Sequence, residues 1–140
     1  MRKLLLLVPL LLLIGCKDPY GACVKADADI AQAVNAGLAT VTQLNQQGLI
    51  TNTEALNVAG YFEFVNQGDE AFGTCAQAAH KAPGAGVYTA CVTTFNTTLN
   101  NPAKLALIHV NNPNASATIN AIVAGFNTAV TALSTALGGK

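Results

Sequence analysis

The 140-residue chain reads as all-α, an up-and-down four-helix bundle with a broken third helix. Three observations predict this. Apolar residues recur at spacings of three and four along three long stretches, the period of one buried helical face. Gly- and Pro-containing breaks near Gly48, Pro83 and Pro113 divide those stretches. The resulting rods have similar lengths, roughly 35–42 Å at 1.5 Å per residue. A three-helix bundle with an irregular third segment is the alternative. Ala106–Val110 could also be extended, but no second strand signal exists to pair with it.

The chain opens with MRKLLLLVPLLLLIGC. Arg2 and Lys3 precede an apolar run of eleven residues, Leu4–Ile14, broken by Pro9. Spanning a hydrocarbon core takes roughly 20 apolar residues, so this run is too short to cross and fits a secretory signal instead. The run ends Leu13-Ile14-Gly15-Cys16. This resembles the lipobox of bacterial lipoproteins, with Ile14 a departure from the more usual Ala or Ser. The resemblance covers the first sixteen residues only. It implies that residues 1–15 are removed, that Cys16 becomes the first mature residue, and that it carries a diacylglycerol whose acyl chains hold the chain to a membrane. The residue after the lipidated cysteine helps to sort such proteins in diderm bacteria. Lys17 is not the Asp that marks inner-membrane retention, so the outer membrane is preferred.

Residues 16–21 read as a tether, and residues 22–140 as one domain. The first helix is expected over about 22–47, with Ile30, Val34, Val41 and Leu44 inward and Leu38 beside them. Gly37 lies within that stripe and would let another helix approach closely. Gly48 is the expected stop. Thr51-Asn52-Thr53-Glu54 is a capping box opening a second helix over about 52–79. Its inward stripe is Val58, Tyr61, Val65, Gly68, Phe72, Cys75 and Ala79, with Phe62 flanking. His80 and Lys81 suit the negative end of that helix. The turn KAPGAG follows. Tyr88, Cys91 or Val92, Phe95 and Leu99 give the third rod its inward face. Asn101-Pro102 interrupts that rod and starts a short helix over about 103–110. After the break Asn111-Asn112-Pro113-Asn114, Ile119, Val123, Phe126, Val130, Leu133 and Leu137 mark a last helix over about 115–137.

Composition narrows the function. Without residues 1–15, five Lys face seven Asp and Glu, and no Arg remains. With no basic patch for phosphate, nucleic acid is not an expected partner. Polarity is carried by Asn, Thr and Gln. The expected partners are the membrane, through Cys16, and another envelope protein.

Spending Cys16 on lipid leaves Cys23, Cys75 and Cys91. Export allows disulfides. Cys75 lies eight residues before Pro83 and Cys91 eight after it, so antiparallel helices would set both at one height. Cys23 is 27 residues before Ile50 and Cys75 is 25 after it, which brings the third thiol to the same end. The preferred bridge is Cys75–Cys91, worth about 3 kcal/mol for a loop of about 15 residues. Pairing of Cys23 with Cys75 or Cys91 is the alternative.

Catalytic and metal-binding constellations are not apparent. Three thiols with His80 lack metal-ligand spacing. His109 is expected at the far end from Cys23, out of reach as its base. Asp27-x-Asp29 and Asp69-Glu70 read as solvated helix faces without a calcium-loop pattern. No cofactor is expected. The reading is a non-enzymatic envelope lipoprotein that acts as a structural or protein-binding module. The alternative is a carrier whose core, lined by Tyr61, Phe62, Phe72, Phe95 and Phe126, holds a small apolar ligand.

Overall fold

A computed structural model describes residues 18–138. The signal segment 1–15 and the lipidation site Cys16 lie outside the described residues. Five α-helices and a 3₁₀ turn account for nearly all the rest: α1 (Pro19–Gln46), α2 (Asn52–Lys81), α3 (Val87–Leu99), α4 (Pro102–Leu105) with a 3₁₀ turn over Ala106–Ile108, and α5 (Pro113–Gly138). The protein is an all-helical bundle, and no strand occurs among the described residues.

The first helix starts earlier than its apolar pattern suggested. Asp18 accepts a hydrogen bond from the Tyr20 N–H at 3.1 Å, and Pro19 occupies the first turn, where its fixed φ suits a helix. Residues 19–21 of the stretch expected as a tether, 16–21, are therefore already helix. At the other end, Gly48 takes φ +67°, and the Gly48 and Leu49 N–H groups donate to the carbonyls of Asn45 and Leu44. That is a Schellman stop, with half-buried Leu49 packed on the core behind it.

The capping box of α2 forms as the sequence indicates. Glu54 N–H donates to Thr51 Oγ1 at 3.2 Å, and Thr51 N–H donates to Glu54 Oε2 at 2.8 Å. The other Glu54 oxygen accepts from Asn111 N–H at 2.7 Å, tying the loop before α5 to the start of α2. Thr51 N–H first, then Asn111 N–H, then the Thr51 hydroxyl at 2.9 Å donate to the Glu54 carboxylate and hold it below its usual pKa.

The broken third rod begins after Gly86, which adopts φ +75°. It breaks where Asn101 caps α4 through Lys104 N–H at 3.2 Å. The short helix is shorter than expected, tightening to 3₁₀ geometry after Leu105 and ending at extended His109. Lys104 sits 4.9 Å above the Phe64 ring, which fastens α4 to α2. α5 starts at Pro113, with Asn112 Oδ1 accepting from Asn114 and Ala115 N–H groups.

α1 packs on α2 and α5, and α3 packs on the same two helices. Along α1 and α2 the contacts run in opposite sense: Tyr20 meets His80, Asp27 meets Gly73 and Gly37 meets Phe62. Along α2 and α3, Tyr61 donates to the Leu99 carbonyl at 3.3 Å, Gly68 meets Thr98, and Cys75 meets Cys91. The aromatic core is continuous with this register. Phe62 stands edge-on to Tyr61 and Phe126 at centroid distances of 5.8 and 5.9 Å, and Phe72 stacks on Phe95 at 5.6 Å.

Gly37 lets this happen. A methyl there would lie 2.8 Å from Phe62 Cζ, and the fully buried ring has no room to retreat. Gly37→Ala is expected to lower stability by about 1–3 kcal/mol, because overpacking outweighs the gain in helix propensity. Gly60→Ala meets nothing within 4 Å and is expected to stabilise by about 0.5–1 kcal/mol. Urea unfolding of the two variants checks the pair; loss of stability in Gly60→Ala, or none in Gly37→Ala, contradicts this account of the packing.

Candidate functional site

The chemistry-bearing side chains collect at the end of the bundle where α1 begins, α2 ends and α3 begins. Cys75 and Cys91 stand at disulfide distance, with Cα atoms 5.8 Å apart, inside the usual range for a bridge. Cys75 is half-buried and Cys91 buried. Cys23 is the free thiol and is fully buried on α1. Tyr20 stacks on His80 with centroids 4.0 Å apart and planes 15° from parallel, closing α1 onto the last turn of α2. Tyr88 belongs to the same group. Its hydroxyl pKa is raised by burial first, then by Cys23, Asp18 and Tyr20.

This arrangement does not activate Cys23. Burial, with a smaller contribution from Asp18, pushes the thiol up to about 11. It stays protonated at neutral pH, whereas a nucleophilic cysteine needs its pKa lowered. His80 is exposed and engaged with Tyr20. His109 is exposed near Glu54, at the other end of α2. Among the described residues, no group of three or more His, Cys, Asp or Glu side chains is placed to hold a metal ion.

The expected aromatic lining of a carrier pocket is found, but the rings fill the space themselves. Tyr61, Phe62, Phe72, Phe95 and Phe126 are all buried against their neighbours. A groove of about 410 Å³ lies instead on the outside, between α1 and α2, lined by Val34, Asn35, Leu38, Glu63, Asn66, Gln67 and Glu70. Its amide and carboxylate walls do not suit an apolar ligand.

One acidic pair departs from the sequence reading. Asp69 is not part of a solvated face: it is 3 % exposed on the packed side of α2, and its Oδ1 has no hydrogen-bond partner among the described residues. Its stripe position explains this. Val65, Asp69, Phe72, Ala76 and Ala79 follow one another at helical spacing, and all are buried. Asp27, from α1, fills the notch one turn further on; a methyl at Gly73 would lie 2.6 Å from Asp27 Oδ1. Burial raises Asp69 to about 7, with the Asp27 and Glu70 charges adding to it. Burial also raises Asp27. Glu70 and Asp29 are exposed as expected, Asp29 pairing with Lys25 at 2.9 Å.

No family model, curated protein or solved structure matches this chain.

Two predictions follow from this geometry. In the non-reduced protein, peptide mapping is expected to recover a 75–91 cross-link and a free Cys23; a bridge to Cys23, or three free thiols, contradicts the pairing. The Asp69 carboxyl is held above its unfolded pKa, so it favours the fold fully below about pH 4, and that contribution is lost as pH rises to about 7. Asp69→Asn is expected to match the parent near pH 4 and to exceed it by about 1–3 kcal/mol at pH 8, because the amide cannot take on the charge that burial penalises. Thermal melts across that pH range check it, and parallel curves for the two proteins count against a raised pKa.

Proposed function

We propose that this protein is a bacterial envelope lipoprotein, anchored through lipid on Cys16, and that its helical domain is a non-enzymatic structural or protein-binding module. The observation that carries the reading is the run Met1–Cys16: two basic residues, an apolar stretch too short to span, and Leu-Ile-Gly-Cys at its end. The start of α1 at Pro19 supports it, because a folded domain begins only three residues after the cysteine. In this reading α1, α2, the α3–α4 rod and α5 form an up-and-down four-helix bundle, as the opposite registers of α1 with α2 and α2 with α3 support. Lys17 favours the outer membrane.

Three features support a binding role over catalysis. The free thiol is buried and protonated, the two histidines lie toward opposite ends, and the core aromatics occupy their own space. α5 is apolar enough in composition to be compared with a membrane span, with mean hydropathy 1.4. Its Ile119, Val123, Phe126, Val130 and Leu133 are nevertheless buried against the other helices, which favours a role as a bundle helix.

Cys16→Ser removes the acyl acceptor. The variant is expected to accumulate unprocessed or to leave the membrane fraction, and the native protein to incorporate labelled palmitate. A processed, membrane-bound Cys16→Ser protein overturns the anchor reading.

A further inference from the structure

We propose that the end of the bundle formed by the first turn of α1, the last turn of α2 and the 82–86 turn rests on the lipid bilayer, leaving the end with the 47–51 turn and the Glu54–Asn111 link free for a partner. This rests on the lipid-anchor reading and adds to it an orientation.

The argument starts from chain length. Asp18 caps α1, and only two peptide steps separate it from Cys16, so their Cα atoms lie within about 7 Å. A cysteine whose acyl chains are in the bilayer therefore holds the α1 N-terminus at the headgroups. What is fixed to that N-terminus comes with it. The stacked rings of Tyr20 and His80 join it to the end of α2, and Cys75–Cys91 joins the end of α2 to the start of α3. The chemistry at this end suits a headgroup layer. Tyr20 and Tyr88 are half-buried rings that carry hydroxyls, and Lys81 is exposed. Aromatic rings with a polar tip and lysines favour the interface between water and hydrocarbon.

The flanks of the bundle offer less. Among the described residues, the exposed large hydrophobic side chains are Val24, 46 % exposed, and Leu56, 73 % exposed, which lie on different helices toward opposite ends. The outer face of α5 exposes Ala121, Ala124, Gly125 and Thr128, none of which supplies a bulky anchor. Residue 56 stands about 40 Å along the α2 direction from the 82–86 turn, at 1.5 Å per residue.

The test uses the full-length lipidated protein in phosphatidylethanolamine–phosphatidylglycerol vesicles that carry a headgroup spin label. An environment-sensitive fluorophore is placed at Gly84→Cys, at Leu56→Cys or at Thr128→Cys. Gly84 tolerates this, since a methyl there meets only Val87, at 3.6 Å. Expected is loss of most emission at position 84 and retention at 56 and 128. Strong quenching at 128 puts the bundle on its side and overturns the proposal. Equal emission at all three sites means a freely swinging domain and overturns it as well. Protein that fails to float with the vesicles and lacks the acyl mass overturns the anchor reading, and the orientation falls with it.

Discussion

Everything in this fold depends on how closely α2 can approach its two neighbours. The helix is buried along a stripe wide enough to meet α1 on one side and α3 on the other, and glycine sets both distances. Phe62 occupies the space where Gly37 has no side chain. Thr98 and Phe95 lie against Gly68, where a methyl would be 2.7 Å from Thr98 Cγ2. Asp27 fills the notch at Gly73. With these approaches in place, Phe72 stacks on Phe95 across α2 and α3 at 5.6 Å, and Phe62 meets Phe126 across α2 and α5 at 5.9 Å. Dispersion falls off within an ångström of contact, so a bundle held apart at these points would lose contacts along its whole length.

Closure at the two ends is achieved by different chemistry. The end near α1's first turn is stapled by the Cys75–Cys91 pair and by the stacked Tyr20 and His80 rings. The opposite end is held by polar bonds. Glu54 serves the α2 cap and Asn111 together, and the Asn45 side-chain amide donates to the Ile50 carbonyl at 3.1 Å and to Asn52 Oδ1 at 3.0 Å. Neither end relies on ion pairs. The one salt bridge among the described residues, Lys25–Asp29, is an exposed pair one turn apart, a geometry worth about 0.3–0.5 kcal/mol.

Much of this was legible in the residues. The apolar periods of α1 and α5, the Thr51–Glu54 box, the Gly48 stop and the heights of Cys75 and Cys91 all follow from local rules that tertiary packing does not disturb. Three helices begin with an Asx residue followed by proline, Asp18-Pro19, Asn101-Pro102 and Asn112-Pro113. Read at 101–102 alone, the motif located α4. At 18–19 and 112–113 the same signal was available, and apolar periodicity placed both starts two or three residues late. Asp69 was not legible because a stripe drawn by hydrophobicity passes over a carboxylate. Only the packing of α2 on both sides reveals that the position is interior. The pairing of Glu54 with Asn111 joins residues 57 apart in sequence, and no local pattern signals it.

The surface that remains has an unusual physical character for so water-exposed a bundle. Charge is sparse, and α5 carries none. Ten threonine hydroxyls, at 40, 42, 74, 93, 94, 97, 98, 118, 128 and 135, donate back to the carbonyl four residues earlier on their own helix. Each such bond uses the hydroxyl's single donor and fixes the side-chain rotamer, leaving lone pairs able to accept. Hydroxyls held this way offer water acceptors more than donors, and their own rotamers are already fixed. A partner docking on this surface would lose less side-chain entropy than on a face of lysines and glutamates, and would meet little charge to desolvate. Along α5, recognition would depend on shape and hydrogen bonding, and salt would affect it little, because screening acts on charges that this helix lacks.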